Sequence, residues 1–159
     1  MPNTEISLRF IRMAEADIPE LTEVMTRTFD ADAQEYLGQP KGGPPGYDTG
    51  EFLQKWAFEE GGHGWKIIAD GKTVGAFIVF ITPEEEYWLG NIFVDPAYQN
   101  QNIGTLAWEF IEATYPGAKA WNLGTPAWAI RNHHYYEKLG FVKVKVEGDD
   151  VTYRKEMKR

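Results

Sequence analysis

The chain contains no cysteine in its 159 residues. That excludes disulfides, thiolate metal sites and a cysteine nucleophile, and it fits the reducing cytoplasm, where the chain is expected to act. No apolar run approaches the roughly 20 residues of a membrane span. The N-terminal MPNTEISLRF lacks a signal-peptide core, so neither a membrane partner nor export is expected. Internal repeats and low-complexity segments are missing too. Positive charge is scarce: 16 Lys and Arg stand against 24 Asp and Glu, a net charge of −8. Such a surface does not attract nucleic acid broadly. It suits a cationic partner, although a solvated acidic face is the commoner reason for this balance. No metal-ligand spacing joins His63, His133 and His134 to the acids, so no metal is expected.

What is present is ordinary for one folded domain, expected to span residues 1–159. Hydrophobic residues make up 43% and aromatics 14%, with six Trp, enough for one sizeable core. Residues 7–12 alternate as a first strand. Asp17 with Glu20 reads as a capping box opening a helix whose apolar face is Ile18, Leu21, Met25 and Phe29. Residues 38–50, GQPKGGPPGYDTG, are a Gly/Pro loop, either an inert connection or a substrate-side lid. A short helix follows over 51–59. Strands are expected at 65–69, 73–81 and 87–94, the first two joined by the Asp70-Gly71 turn. A helix over 103–115, a strand over 118–123 and a helix over 127–138, capped by Gly140, come next. A hairpin over 141–146 and 151–157 ends the chain. Antiparallel hairpins thus flank one β-α-β unit. The pattern gives an α/β (α+β) domain, a mixed sheet with helices on both faces, and a ligand crevice where the parallel pair begins.

The segment over 91–106, NIFVDPAYQNQNIGTL, joins an apolar strand to an amide-rich turn and a helix N-terminus. That geometry suits an anion such as pyrophosphate. A second segment, YYEKLGF over 135–141, places Tyr136 near the end of a helix. With Val94-Asp95-Pro96-Ala97-Tyr98, then the run from Gln99 to Gly104, and with this second segment, the chain resembles the GNAT superfamily of acyl-CoA N-acyltransferases. The resemblance implies a single GNAT-like domain with a mostly antiparallel sheet of six to seven strands and about four helices.

It also implies an activity: transfer of an acetyl group from acetyl-CoA, the cosubstrate, to a primary amine of a small molecule or peptide. The amine would attack directly in a ternary complex, with Tyr136 as general acid to the departing thiolate. Backbone amides of Gln99, Asn100, Gln101, Asn102, Ile103, Gly104 and Thr105 would hold the pyrophosphate. The strand edge at Ile92, Phe93 and Val94 would hold the pantetheine arm and supply the oxyanion donor. Asn132, one turn before Tyr136, would reach the cofactor. Asn102 stands where the family has a glycine, at a position expected to be left-handed. Gly104 is expected to spare the phosphate a side chain. Gly90 stands where many relatives carry a strand Glu as base; Glu86 and Trp88 share the strand parity of Gly90 and Ile92. Trp88 is a candidate wall of the acceptor pocket. Asp30, with Asp32, Glu35 and Asp48, is a candidate lure for an ammonium group. Family members are often dimers, so a homodimer is a further expectation. The alternative is a non-catalytic acyl-CoA-binding sensor on the same fold.

Overall fold

The computed structural model describes residues 6–158. Seven strands form one sheet in the order β1-β2-β3-β4-β5-β7-β6. They are β1 Leu8–Arg12, β2 Gly62–Ala69, β3 Lys72–Phe80, β4 Glu86–Val94, β5 Ala120–Pro126, β6 Val142–Glu147 and β7 Asp150–Glu156. The helices are α1 Ile18–Asp32, α2 Glu51–Trp56, α3 Ile103–Thr114 and α4 Ile130–Lys138. Every neighbouring pair is antiparallel except β4 with β5. This is the mixed, mostly antiparallel architecture that the element order implies.

Two apolar cores lie on opposite faces. On one, Ile103, Ala107, Trp108 and Ile111 of α3 and Tyr136 of α4 pack over Phe77, Leu89, Trp121 and Tyr153. On the other, Leu21, Val24 and Met25 of α1 and Leu53 of α2 pack over Ala76, Ile78 and Phe93. β3 therefore has a core on both sides, which explains its nearly unbroken apolar run. β6 is the opposite case. Val142, Val144 and Val146 at the sheet edge stay 64%, 54% and 58% exposed, with Lys143 and Lys145 between them, and charged edges of this kind discourage strand addition.

The structure differs from the sequence reading at the start of α1. Asp17 does not cap that helix with its side chain. Its Oδ2 accepts instead from the Ala14 amide at 2.8 Å, and its Oδ1 accepts from Lys66 Nζ at 2.9 Å. A short 3-10 turn over Glu15–Asp17 precedes the helix and takes the carboxylate for itself. At its other end α1 runs into a π turn over Ala33–Leu37, closed by Gly38 in the left-handed region. The helical chain therefore extends well past residue 29, up to the start of the expected 38–50 loop.

A β-bulge shifts the β3–β4 register: Ile78 faces Asn91, whereas Val79 faces Leu89. Gly90 is the extra residue, and the parity of β4 changes across it. Tyr87, Leu89, Ile92 and Val94 turn to the α3–α4 core, and Phe93 to the other. Glu86 and Trp88 thus share a face with Phe93 and not with Ile92, a correction to the even alternation expected from sequence.

Glu86 is also committed elsewhere. Arg154 donates to both of its oxygens, at 2.5 and 3.1 Å, and Asn122 Nδ2 donates at 3.1 Å. These bonds hold its carboxyl down to about 2 from an ordinary 4.5. A carboxylate depressed by folding adds stability above its unfolded pKa and loses it as pH falls toward the folded value. Part of the acid dependence of stability between pH 4.5 and about 2 therefore belongs to Glu86, reduced because the pair is a third exposed. Glu86→Gln should flatten that part of the curve, as followed by urea melts across the acid range. An unchanged slope would show that the pair contributes nothing.

Candidate functional site

β4 and β5 begin as a parallel pair, but only Glu86, Tyr87 and Trp88 are in register, opposite Ala120, Trp121 and Asn122. Beyond Trp88 the strands part. β5 continues alongside β7 up to Pro126, while β4 continues alongside β3 up to Val94. One edge of β4 is left free over its last residues. The direction of the free backbone groups follows from the ladder. The Asp95 amide donates to Val74 O on β3 at 2.7 Å, and in an antiparallel pair such residues alternate. Phe93 therefore bonds β3, while the peptide groups of Ile92 and Val94 face the space that β5 has vacated. Val94 O is filled by Gln99 Nε2 at 3.0 Å, with Thr28 Oγ1 at 3.4 Å.

The turn after β4 supplies a second set of donors. Asp95 caps a short 3-10 turn, its Oδ1 accepting from Ala97 N at 3.0 Å. Asn100 and Asn102 then adopt left-handed backbones, with φ of 64° and 66°. Asn102 is the N-cap of α3, and its side chain makes no capping bond. The amides of Ile103, Gly104 and Thr105 have no partner inside the helix by construction. Among the described residues, no acceptor outside the helix takes them, nor those of Asn100, Gln101 and Asn102. The positive end of the α3 dipole adds to this donor cluster.

α4 closes the other side. Its C-terminus is a Schellman cap. The Phe141 amide donates to Tyr136 O at 3.0 Å, the Gly140 amide donates to Glu137 O at 3.1 Å, and Gly140 takes φ of 99°. Phe141 packs its ring on Tyr136 with centroids 5.9 Å apart. The Leu-Gly-Phe ending thus fixes where Tyr136 points. The Tyr136 ring is 7% exposed, and its hydroxyl has no hydrogen-bond partner among the described residues. Burial pushes this phenol well above its usual value. Tyr135 lies across the first turn of α3, donating to Gly104 O at 2.8 Å. A Cβ on Gly104 would sit 2.9 Å from the Tyr135 ring. The Tyr135 ring thus crowds any side chain at this position, a constraint the sequence reading did not foresee.

These parts surround a cleft of about 560 Å³. Ile92, Phe93, Val94, Gln99, Asn100, Asn102, Ile103, Gly104, Thr105, Asn132 and Tyr136 all line it, and Gln101 does not. Asn132 donates to Thr125 Oγ1 at 3.1 Å. Of the adjacent histidines only His134 faces the cleft. His133 is held between Pro126 O at 3.0 Å and the Tyr153 hydroxyl at 2.7 Å. Sequence reasoning missed the α1 wall of the cleft, Thr28 and Phe29, because nothing local marks which helix face overhangs a parted strand. It also missed Arg131, which bridges the cleft to Asp32, with Glu35 at 3.8 Å and the Tyr36 ring beneath its guanidinium at 5.8 Å.

Of the substrate-side candidates, Asp32 lines the cleft, and Asp30, Glu35, Asp48 and Trp88 do not. Trp88 lines neither this cleft nor the second cavity on the other face of the sheet. Asp30 Oδ1 accepts from the Tyr47 hydroxyl at 2.6 Å and from the Gly42 amide at 3.2 Å, tying the Gly/Pro loop to α1. Asp48 faces Lys41 at 3.5 Å. All four expected acids thus have partners. Asn91, in the bulge, buries an Oδ1 with no partner among the described residues, which costs about 1–3 kcal/mol unless a donor arrives. No group of three or more His, Asp or Glu among the described residues could hold a metal ion.

The sequence pattern of the acetyltransferase (GNAT) family matches residues 23–141. The chain belongs to this family. An uncharacterized protein, YrkN, of Bacillus subtilis (strain 168) is 33% identical over 129 residues, 80% of this chain and 69% of that protein. The GNAT fold is likewise that of an acetyltransferase from Thermus thermophilus, at a TM-score of 0.78 and 18% identity, covering 95% of this chain and 97% of that one. A PaiA N-acetyltransferase from Thermoplasma acidophilum, solved with coenzyme A, gives a TM-score of 0.75 at 16% identity over 95% of this chain and 99% of that one.

Within this GNAT cleft, Asn102 is the residue with most at stake. Its left-handed backbone is tolerable for Asn and easy for Gly, but costs a β-branched residue more. Asn102→Gly should stay within about 0.5 kcal/mol of wild type, and Asn102→Val should destabilise by about 1–2 kcal/mol, as measured by urea denaturation. Equal stability of the two variants would show that the loop relaxes to another conformation.

Proposed function

We propose that this protein transfers the acetyl group of acetyl-CoA to a primary amine of a small molecule or peptide, by direct attack in a ternary complex. The observation that carries this reading is the free edge of β4 at Ile92 and Val94, running directly into the unpartnered amides of residues 100–105. One end suits an extended amide-bearing arm that adds to the sheet like a strand. The other suits a diphosphate at a helix N-terminus. An acyl-CoA presents those two groups in that order.

The chemistry asks little more of the chain. The amine nitrogen forms a bond to the acyl carbon, and the C–S bond breaks with its electron pair leaving on sulfur. The Ile92 or Val94 amide, aimed into the cleft, is the donor for the oxyanion of the tetrahedral intermediate. Tyr136 donates its proton to the departing sulfur. Its raised pKa suits that role, because the group stays protonated across the working range. The proton that the amine loses passes to solvent and restores Tyr136. Glu86, held near 2 by Arg154 and Asn122, is a poor base, so the amine must arrive neutral or lose its proton to water.

The engagement of Glu86 on β4 by Arg154 and Asn122 supports a second reading, an acyl-CoA-binding sensor that does not turn over. Acetyl-CoA bound only by the folded protein must raise its melting temperature in either case. Release of free thiol with a panel of amines then separates enzyme from sensor. Tyr136→Phe should keep the melting shift and lose about 10²-fold or more in kcat. Unchanged turnover would remove Tyr136 from the mechanism. The pH profile carries a further mark. Turnover should rise as the acceptor amine deprotonates and show no loss from Tyr136 up to about pH 10, the ordinary tyrosine value. An alkaline decline below that, abolished in Tyr136→Phe, would contradict the assignment.

A further inference from the structure

The second cavity, about 710 Å³, lies on the α1–α2 face of the sheet. Its walls are apolar and ringed: Phe52 and Trp56 of α2, Ile78 and Phe80 of β3, and Gly90 in the β4 bulge. The rings brace one another, Trp56 to Phe52 at 6.4 Å and Trp56 edge-on to Phe80 at 6.0 Å. Glu51 and Lys55 are the ionisable groups among its lining residues. They are opposite in sign, and the Lys55 ammonium lies 4.4 Å over the Trp56 ring. A polyamine would bring several positive charges to a wall with one carboxylate already offset by a lysine. An aromatic body would meet matching surfaces in a cavity of small-molecule size.

Gly90, on the wall of this cavity, lies on the same strand as Ile92 of the cleft. A Cβ there would lie 2.3 Å from Phe80 Cε2, so glycine is what lets the ring stand at the wall. Ile92, at the free edge, is two residues further on, about 7 Å along the strand.

We propose that the cavity bounded by Phe52, Trp56, Phe80 and Gly90 holds the body of the acceptor, and that the acceptor is a small primary amine carried on an aryl group. This rests on the acyl-transfer reading. The test compares phenethylamine and tryptamine with spermidine and glycine as acceptors, following thiol release, alongside the melting shift given by acetyl-CoA. The aryl amines should exceed spermidine by about tenfold or more in kcat/KM. Trp56→Ala should raise the KM for phenethylamine about tenfold and leave the KM for acetyl-CoA unchanged. Phe52→Leu, a gentler change that covers the case of a misfolded Trp56 variant, should raise it about threefold. Spermidine or glycine consumed as well as phenethylamine, or both variants with unchanged phenethylamine KM, would overturn the proposal. A melting shift with no turnover of aryl amines would sink the aryl assignment and leave acyl-CoA binding standing. No shift at saturating acetyl-CoA would overturn both.

Discussion

The site depends on a constraint in the sheet: β4 and β5 can share only three ladder pairs. Two parallel strands that stayed paired would satisfy each other and leave no groove. Here β5 is drawn along β7 and β4 along β3, so the sheet opens at its parallel seam. Gly90 strengthens the divergence by adding a residue to β4 and increasing its local twist. Backbone groups that would otherwise have paired within the sheet become available at Ile92 and Val94.

The remaining parts of the cleft are arranged around that opening. Asp95 and Pro96 turn the chain out of β4, two left-handed asparagines bring the next amides round, and α3 presents its first turn to the same space. α4 arrives from the opposite side with Tyr136 fixed by the Gly140–Phe141 cap. Each device is local and uses only a few residues. Their coincidence requires the sheet to hold both helix ends within one groove, which is the work of the two apolar cores.

Most of this was legible in the sequence. The element order and the Gly140 cap follow from short-range chemistry: turn residues, periodicity and caps; the left-handed Asn102 and the pairing of the 99–105 loop with Tyr136 are implied by the resemblance to the GNAT superfamily. What was illegible depends on partners far away in sequence. The bulge at Gly90 arises from register with β3, so the strand parity assumed for Trp88 and Glu86 could not be corrected locally. Arg131 meets Asp32 across 99 residues. The ring that crowds Gly104 belongs to a tyrosine 31 residues on. Asp30 reads as a free acid in a polar stretch, because its partner Tyr47 sits beyond a glycine-rich loop whose course no pattern predicts.

The bridge between Arg131 and Asp32 has a consequence for how the cleft meets a ligand. It ties α4 to α1 across the gap, with the Tyr36 ring beneath the guanidinium and Trp128 6.0 Å from that ring. The two halves of the opened sheet are thus held at a set width before anything enters. A groove preorganised in this way does not have to be assembled by its occupant, so little binding free energy is lost to ordering the walls.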